Sequence, residues 1–248
     1  MVAPTELVLD KYRVVRELRR GRRGALLLGW YEALDAEVEI AVFDEIDEDP
    51  TSQNGVIRQA ERLRRMRDPA LTEVREVGLL EDATPCVVLE PVTGRSLAGL
   101  LAERGPLPWV EAARIGEIVA TALAAKHAAS ITHGDLAAED VVIGETGVRL
   151  VALGVGRPPG LAPARTDLAG LGAVIAETLS GLRVDRADPS AVRLVSPPGL
   201  PPIPNVLVEI VGQMLESTEA GKPATAARAA RLADIVAAGR KTTLKSRD

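Results

Sequence analysis

Apolar residues in the first third of the chain come in short blocks or alternate with polar ones. Tyr12–Leu18, Ala25–Tyr31 and Glu37–Phe43 have the lengths and period of strands. Asp44–Gly55 is acidic and rich in turn formers, with Asp49-Pro50 and Asn54-Gly55 reading as breakers. From Val56 to Met66 the period becomes helical, with Ile57, Ala60, Leu63 and Met66 on one side. Two further strands are predicted over Thr72–Leu79 and Pro85–Glu90. Past Pro91-Val92-Thr93-Gly94 the pattern is helical. Ser96–Glu103 reads as a short helix and Pro108–Ala129 as a long, alanine-rich one opened by Pro-Trp. Thr166–Ser180 follows with Thr166 as N-cap, then Asn205–Ser217 and Ala224–Ala238. Arg183–Pro204 is proline-rich and reads as irregular.

A strand-rich part with one helix therefore precedes a helical part. The divisions fall at 1–10 (an N-terminal extension), 11–91, 92–239 and 240–248 (a basic tail). The chain has 248 residues, which suits one large domain of two lobes. Hydrophobic residues make up 46% and charged residues 26%, the balance of a folded soluble protein. A net charge of -5 argues against a general nucleic-acid binder, whose affinity rests on clustered Lys and Arg. The single cysteine, Cys86, excludes an internal disulfide and suits a reducing compartment. No apolar run is long enough to cross a membrane and the first residues do not read as a signal peptide, so a cytoplasmic location is expected. Scarce aromatics among abundant Ala, Gly, Val, Leu and Arg suggest a GC-rich bacterial source.

One segment carries candidate chemistry. It contains His133-Gly134-Asp135-Leu136-Ala137-Ala138-Glu139-Asp140, a short hairpin, and then Ala152-Leu153-Gly154. The kinase signature at this spacing is H-R-D-L-x-x-x-N followed by D-F-G. The chain resembles a bacterial, actinobacterial-type Ser/Thr protein kinase domain, and more particularly a degenerate pseudokinase. The resemblance covers about Lys11 to Ala238. It implies an α+β, bilobal protein kinase-like fold: a small antiparallel β-rich N-lobe with one main helix and a larger, mostly α-helical C-lobe.

The resemblance also implies which parts have changed. Asp135 stands where the catalytic base would be, but Ala152 replaces the metal-binding aspartate and offers no oxygen to magnesium. Asp140 replaces the second metal ligand, an asparagine. In the V-A-I-K strand the best register puts Ala41 at the lysine and Glu39 at the small residue that admits adenine; a shift of two puts Phe43 there instead. Neither is basic, and no lysine lies between Lys11 and Lys126. Gln59 stands at the partner glutamate, with Glu61 or Glu73 reached by other registers. Gly21 and Gly24 remain of the glycine-rich loop, whose first position is Arg19; the arginines there read as solvating a strand turn. Glu90 and Val92 mark the hinge. Residues 155–166 contain no clear A-P-E, so the activation segment is short, and Gly134 replaces the arginine that grips it. Leu63, His133, Leu153 and Asp167 match the internal stack joining the lobes. His133 thus reads as a satisfied core residue, His127 as an ordinary helix-end residue and Cys86 as a buried structural thiol.

These substitutions lead us to expect a non-enzymatic regulatory scaffold that binds proteins, with no cofactor and no metal. The family resemblance adds two candidate partners, a forkhead-associated domain protein and an active Ser/Thr kinase, and a link to cell-wall synthesis. Thr242 and Thr243 in the tail are candidate phosphorylation sites. Two further readings fit the same residues: a sensor that binds ATP without phosphotransfer, and a small-molecule phosphotransferase, whose H-G-D matches His133-Gly134-Asp135.

Overall fold

The strand alternation resolves into two facing clusters. In the computed structural model, which describes residues 7–21, 24–44, 50–134, 136–151, 164–185, 188, 191–216 and 222–245, six strands form one antiparallel sheet. They are β1 (Leu7–Val8), β2 (Tyr12–Gly21), β3 (Gly24–Tyr31), β4 (Ala36–Val42), β5 (Val74–Leu79) and β6 (Pro85–Leu89), in the order β1-β2-β3-β4-β6-β5. Successive side chains point to opposite faces. Val38, Ile40 and Val42 pack on one side with Val8, Tyr12, Val14 and Val88. Ala41 and Phe43 pack on the other with Leu26, Val87 and Leu89. Helix α1 (Pro50–Arg64) covers that second side through Val56, Ala60 and Leu63.

A second, larger core is built by α2 (Leu97–Arg104), α3 (Trp109–Ala128), α4 (Ala164–Ser180), α5 (Asn205–Leu215) and α6 (Lys222–Lys245). A three-stranded sheet of β7 (Arg95–Ser96), β8 (Val141–Gly144) and β9 (Gly147–Leu150) flanks it. Ser96 caps α2, its hydroxyl accepting from the Gly99 amide at 3.1 Å. Gly170 lets α4 approach the backbone of the neighbouring loop: a Cβ there would lie 2.8 Å from the Leu136 carbonyl oxygen.

The lobes are joined by more than the chain between them. The Leu150 amide donates to the Ala70 carbonyl, at 2.6 Å, and the Thr72 amide to the Leu150 carbonyl, at 3.1 Å. The segment after α1 is thereby stitched to β9. The cluster beneath α1 also includes Ile131 and Val151 from the helical half, so it crosses the junction. The arrangement is α+β and bilobal, as the resemblance implied.

Several elements differ from the sequence-based expectation. Helix α1 starts at Pro50, not Val56, because proline is tolerated in a first helical turn and therefore does not act as a breaker there. Helix α4 starts at Ala164, so Thr166 is inside it and is not its N-cap. Residues 7 and 8, placed in an extension, pair with β2, and Val8 is fully buried. Helix α6 runs to Lys245, through the start of the basic tail and through Thr242 and Thr243. Cys86 is buried in the strand lobe, and burial pushes its thiol up to about 12.

A Gly170→Val substitution forces a side chain against the Leu136 carbonyl. It is expected to cost about 1–3 kcal/mol, the usual penalty of overpacking, read as a lowered midpoint in urea denaturation.

Candidate functional site

The residues of interest lie where the two lobes face each other and in the loop below. By simple alternation, Glu39 and Ala41 of β4 and Phe43 just beyond it lie on one face. Ala41 and Phe43 are closed off in the apolar cluster. Both registers considered for the lysine position therefore end in a buried apolar side chain. Gln59 on α1 is buried as well, and its Oε1 has no hydrogen-bond partner among the described residues.

Glu39 reaches the chain that links the lobes. Its Oε1 accepts from the Val92 amide at 3.3 Å. Burial pushes the Glu39 carboxyl above its ordinary range, with the Glu90 carboxylate adding to that shift and the Val92 amide and Arg19 opposing it. Glu90, two residues before Val92, binds elsewhere: its Oε1 accepts from the Glu73 amide at 2.8 Å and pairs with Arg149 of β9, which also donates to the Leu71 carbonyl at 2.6 Å.

Arg19 comes from a strand with two irregularities against β3, between Val14 and Arg16 and between Glu17 and Arg19. Such bulges bend a strand and re-aim its side chains. The Arg19 guanidinium pairs with Oδ1 of Asp140 in the other lobe. Oδ2 of Asp140 accepts from the Ala137 amide at 2.9 Å, and the residue is 1% exposed. Both carboxylate oxygens are thus engaged. Arg20 pairs with Asp44 and Glu17. These arginines do not simply solvate a turn, since fixed carboxylates lie within reach. Gly21 and Gly24 face each other at the β2–β3 turn. Gly24 is needed for packing: a Cβ would stand 1.8 Å from the Val42 carbonyl oxygen.

Below the cleft, the buried Asp167 carboxylate of α4 collects three donors at 2.7 Å. They are Nε2 of His127 and the amides of His133 and Gly134. His127 Nδ1 lies 2.8 Å from the Thr225 hydroxyl of α6. Since an ionised carboxylate can only accept, the proton sits on His127 Nε2. His127 is therefore a structural linchpin between α3, α4 and α6, not an ordinary helix-end residue; its contacts form only in the folded chain. His133 is a core histidine but only half satisfied: its Nε2 lies 3.1 Å from the Val151 carbonyl, while its buried Nδ1 has no hydrogen-bond partner among the described residues. Burial, reinforced by the Lys126 ammonium, pushes the His133 pKa down. Lys126 is fully buried, and burial pushes it down to about 8 against the pull of Asp167 and Asp140. Burial alone would raise Asp167, but the His127 hydrogen bond, Lys126 and the Gly134 amide hold it below its ordinary value.

The family model for protein tyrosine and serine/threonine kinases matches residues 12–157, more than half of the chain. The chain belongs to this family. Among its kinase relatives, Serine/threonine-protein kinase pkn2 of Myxococcus xanthus is 34% identical over 166 residues, 63% of this chain and 19% of the relative. PknD of Mycobacterium tuberculosis is 29% identical over 224 residues, 78% of this chain and 33% of the relative. The chain thus spans a third or less of the length of these two proteins. In fold it is similar to the M. tuberculosis PknI kinase domain, with a TM-score of 0.70 at 20% identity over 94% of this chain and all of that one.

For a kinase-family chain, magnesium is the implied metal, and the residues present do not fit it. Ala152 supplies no carboxylate, and Asp140 is held by Arg19 and an amide. Among the described residues no group of three or more His, Cys, Asp or Glu is arranged to hold a metal. Asp135, Ala152, Leu153, Gly154 and the 155–163 segment lie outside the described residues, as do Arg22 and Arg23. Sequence reasoning missed the pairing of Arg19 with Asp140. Its available signal was a basic residue gained at the loop's first glycine together with an acid gained at the asparagine.

The His133 and Asp167 shifts give this lobe an acid-sensitive stability. The ordinary His133 value is 6.5 and the folded value is lower, so on acidification the unfolded chain takes up the proton first. Stability is therefore lost as the pH falls below about 6.5 towards the folded value. Asp167 adds a second loss as the pH falls from its ordinary value, 3.8, through its lower folded one. The urea midpoint is expected to drop between pH 7 and pH 5, and His133→Phe to flatten that slope.

Proposed function

We propose that this kinase-family chain is a catalytically inactive, protein-binding regulatory module of bacterial Ser/Thr kinase signalling. The observation that carries this reading is that the cleft is spanned by the chain's own side chains. Glu39 takes the Val92 amide, a hinge donor that would face adenine, and Arg19 takes Asp140, a remaining candidate metal ligand. The apolar Ala41 and Ala152 remove charges on which phosphoryl transfer depends, since that chemistry is positioning and electrostatics. What stays is the packing that holds the lobes together. Among the described residues no helix is long and apolar enough to cross a membrane. The expected partners are an active Ser/Thr kinase and a forkhead-associated domain protein, with Thr242 and Thr243 as the phosphorylated docking segment.

Two measurements test the reading. Addition of ATP, with or without magnesium, is expected to leave the melting temperature unchanged. A shift that requires magnesium would overturn the proposal, and a shift without metal would favour a nucleotide sensor. The second is a double-mutant cycle at the self-made bridge. Arg19→Met alone leaves the buried Asp140 charge short of a partner and is expected to cost about 1–3 kcal/mol. Arg19→Met with Asp140→Asn is expected to recover most of that loss, because the charge needing the partner has gone.

A further inference from the structure

A cavity of about 360 Å³ lies away from the cleft, in the helical lobe between α2, α3 and the β7–β9 sheet. Its floor is aliphatic: Leu100 from α2, Leu107, Ile115 from α3, Ile143 from β8 and Val148 from β9. These side chains continue the main core outwards. Ile115 is buried there and the other four are only partly covered. Its rim is basic, with Arg95, Arg104 and Arg114 set against the single acid Glu111. Arg95 is neutralised by Glu103. Arg104 and Arg114 are exposed and have no ion-pair partner among the described residues.

Beside the open aliphatic floor, Arg104 and Arg114 outnumber Glu111, so the rim has a net positive charge that favours an acidic occupant. The volume falls within the roughly 300–1,000 Å³ of pockets that take compact ligands. It suits a pair of aliphatic side chains better than a folded domain face. Arginine also matches carboxylates in a two-pronged geometry that lysine lacks. We propose that this cavity is a docking site for a peptide segment of a partner protein, bearing leucine or isoleucine anchors flanked by aspartate or glutamate. The apolar anchors fill the floor and the flanking carboxylates pair with Arg104 and Arg114. The proposal rests on the reading of the chain as a protein-binding module and gives that module a partner chemistry. Occupancy also has a route to the cleft, because Ile143 and Val148 belong to the hairpin that runs from Asp140 to Val151.

The test uses the whole chain and a synthetic twelve-residue fluorescent peptide with two leucines flanked by aspartate and glutamate. A control peptide carries lysine flanks. Saturable binding of the acidic peptide is expected in fluorescence anisotropy, weakening as salt is raised, with methyl NMR shifts at Leu100, Ile115 and Ile143. Reversal of both rim charges, Arg104→Glu with Arg114→Glu, is expected to weaken it at least tenfold while circular dichroism and melting temperature stay unchanged. Equal or tighter binding of the lysine-flanked peptide, shifts confined to other methyls, or no binding at all would each overturn the docking site. Binding to phosphatidylglycerol vesicles that the charge reversal abolishes, without peptide binding, would overturn it in favour of a lipid surface. A magnesium-dependent ATP shift would count against the inactive-module reading but would not move these outcomes.

Discussion

A carboxylate with almost no access to water must find its hydrogen bonds inside the protein, and Asp167 finds three. Leaving a buried charge short of partners costs several kcal/mol, so those donors are constrained strongly. The constraint reaches in several directions. His127 fixes the end of α3, the His133 and Gly134 amides fix the loop that follows, and Thr225 brings in α6 through the other nitrogen of the same ring. Gly170, one turn along α4 from Asp167, then lets the helix sit directly on the Leu136 backbone. The loop backbone at His133 and Gly134 is thus held by a core interaction.

The residues that hold the two lobes together are likewise distinct from those that would carry phosphoryl transfer. Backbone hydrogen bonds at Ala70, Thr72 and Leu150, the Glu90–Arg149 pair and the shared apolar cluster make the junction. None of these depends on a nucleotide. The architecture is therefore kept with the apolar Ala41 and Phe43 closed off in the strand lobe. Burying Ala41 and Phe43 under α1 adds to the core, since apolar area removed from water is stabilising at about 25 cal/mol per Å².

The strands and helices were legible because alternation and helical spacing follow directly from which face is buried. The β4 pattern, with Val38, Ile40 and Val42 on one side and Glu39, Ala41 and Phe43 on the other, made both readings of the lysine position equally non-basic. Element ends were less legible, since Pro50 and Thr166 each have a local preference that the surrounding chain decides. The long-range polar contacts were least legible. Arg19 resembled a turn residue, His127 an end-of-helix residue, and nothing local marked Thr225 as its partner. Each is explained by a side chain distant in sequence, and single-chain periodicity carries no information about such pairs.

The Arg19–Asp140 bridge has a consequence for how this chain and its relatives diverge. Each member is tolerable in a half-buried gap mainly because the other is there. An arginine introduced first would meet a neutral asparagine, and an aspartate introduced first would sit unneutralised beside the loop. A change at Arg19 alone would strand the buried Asp140 carboxylate, so a change at either position is best tolerated together with one at the other.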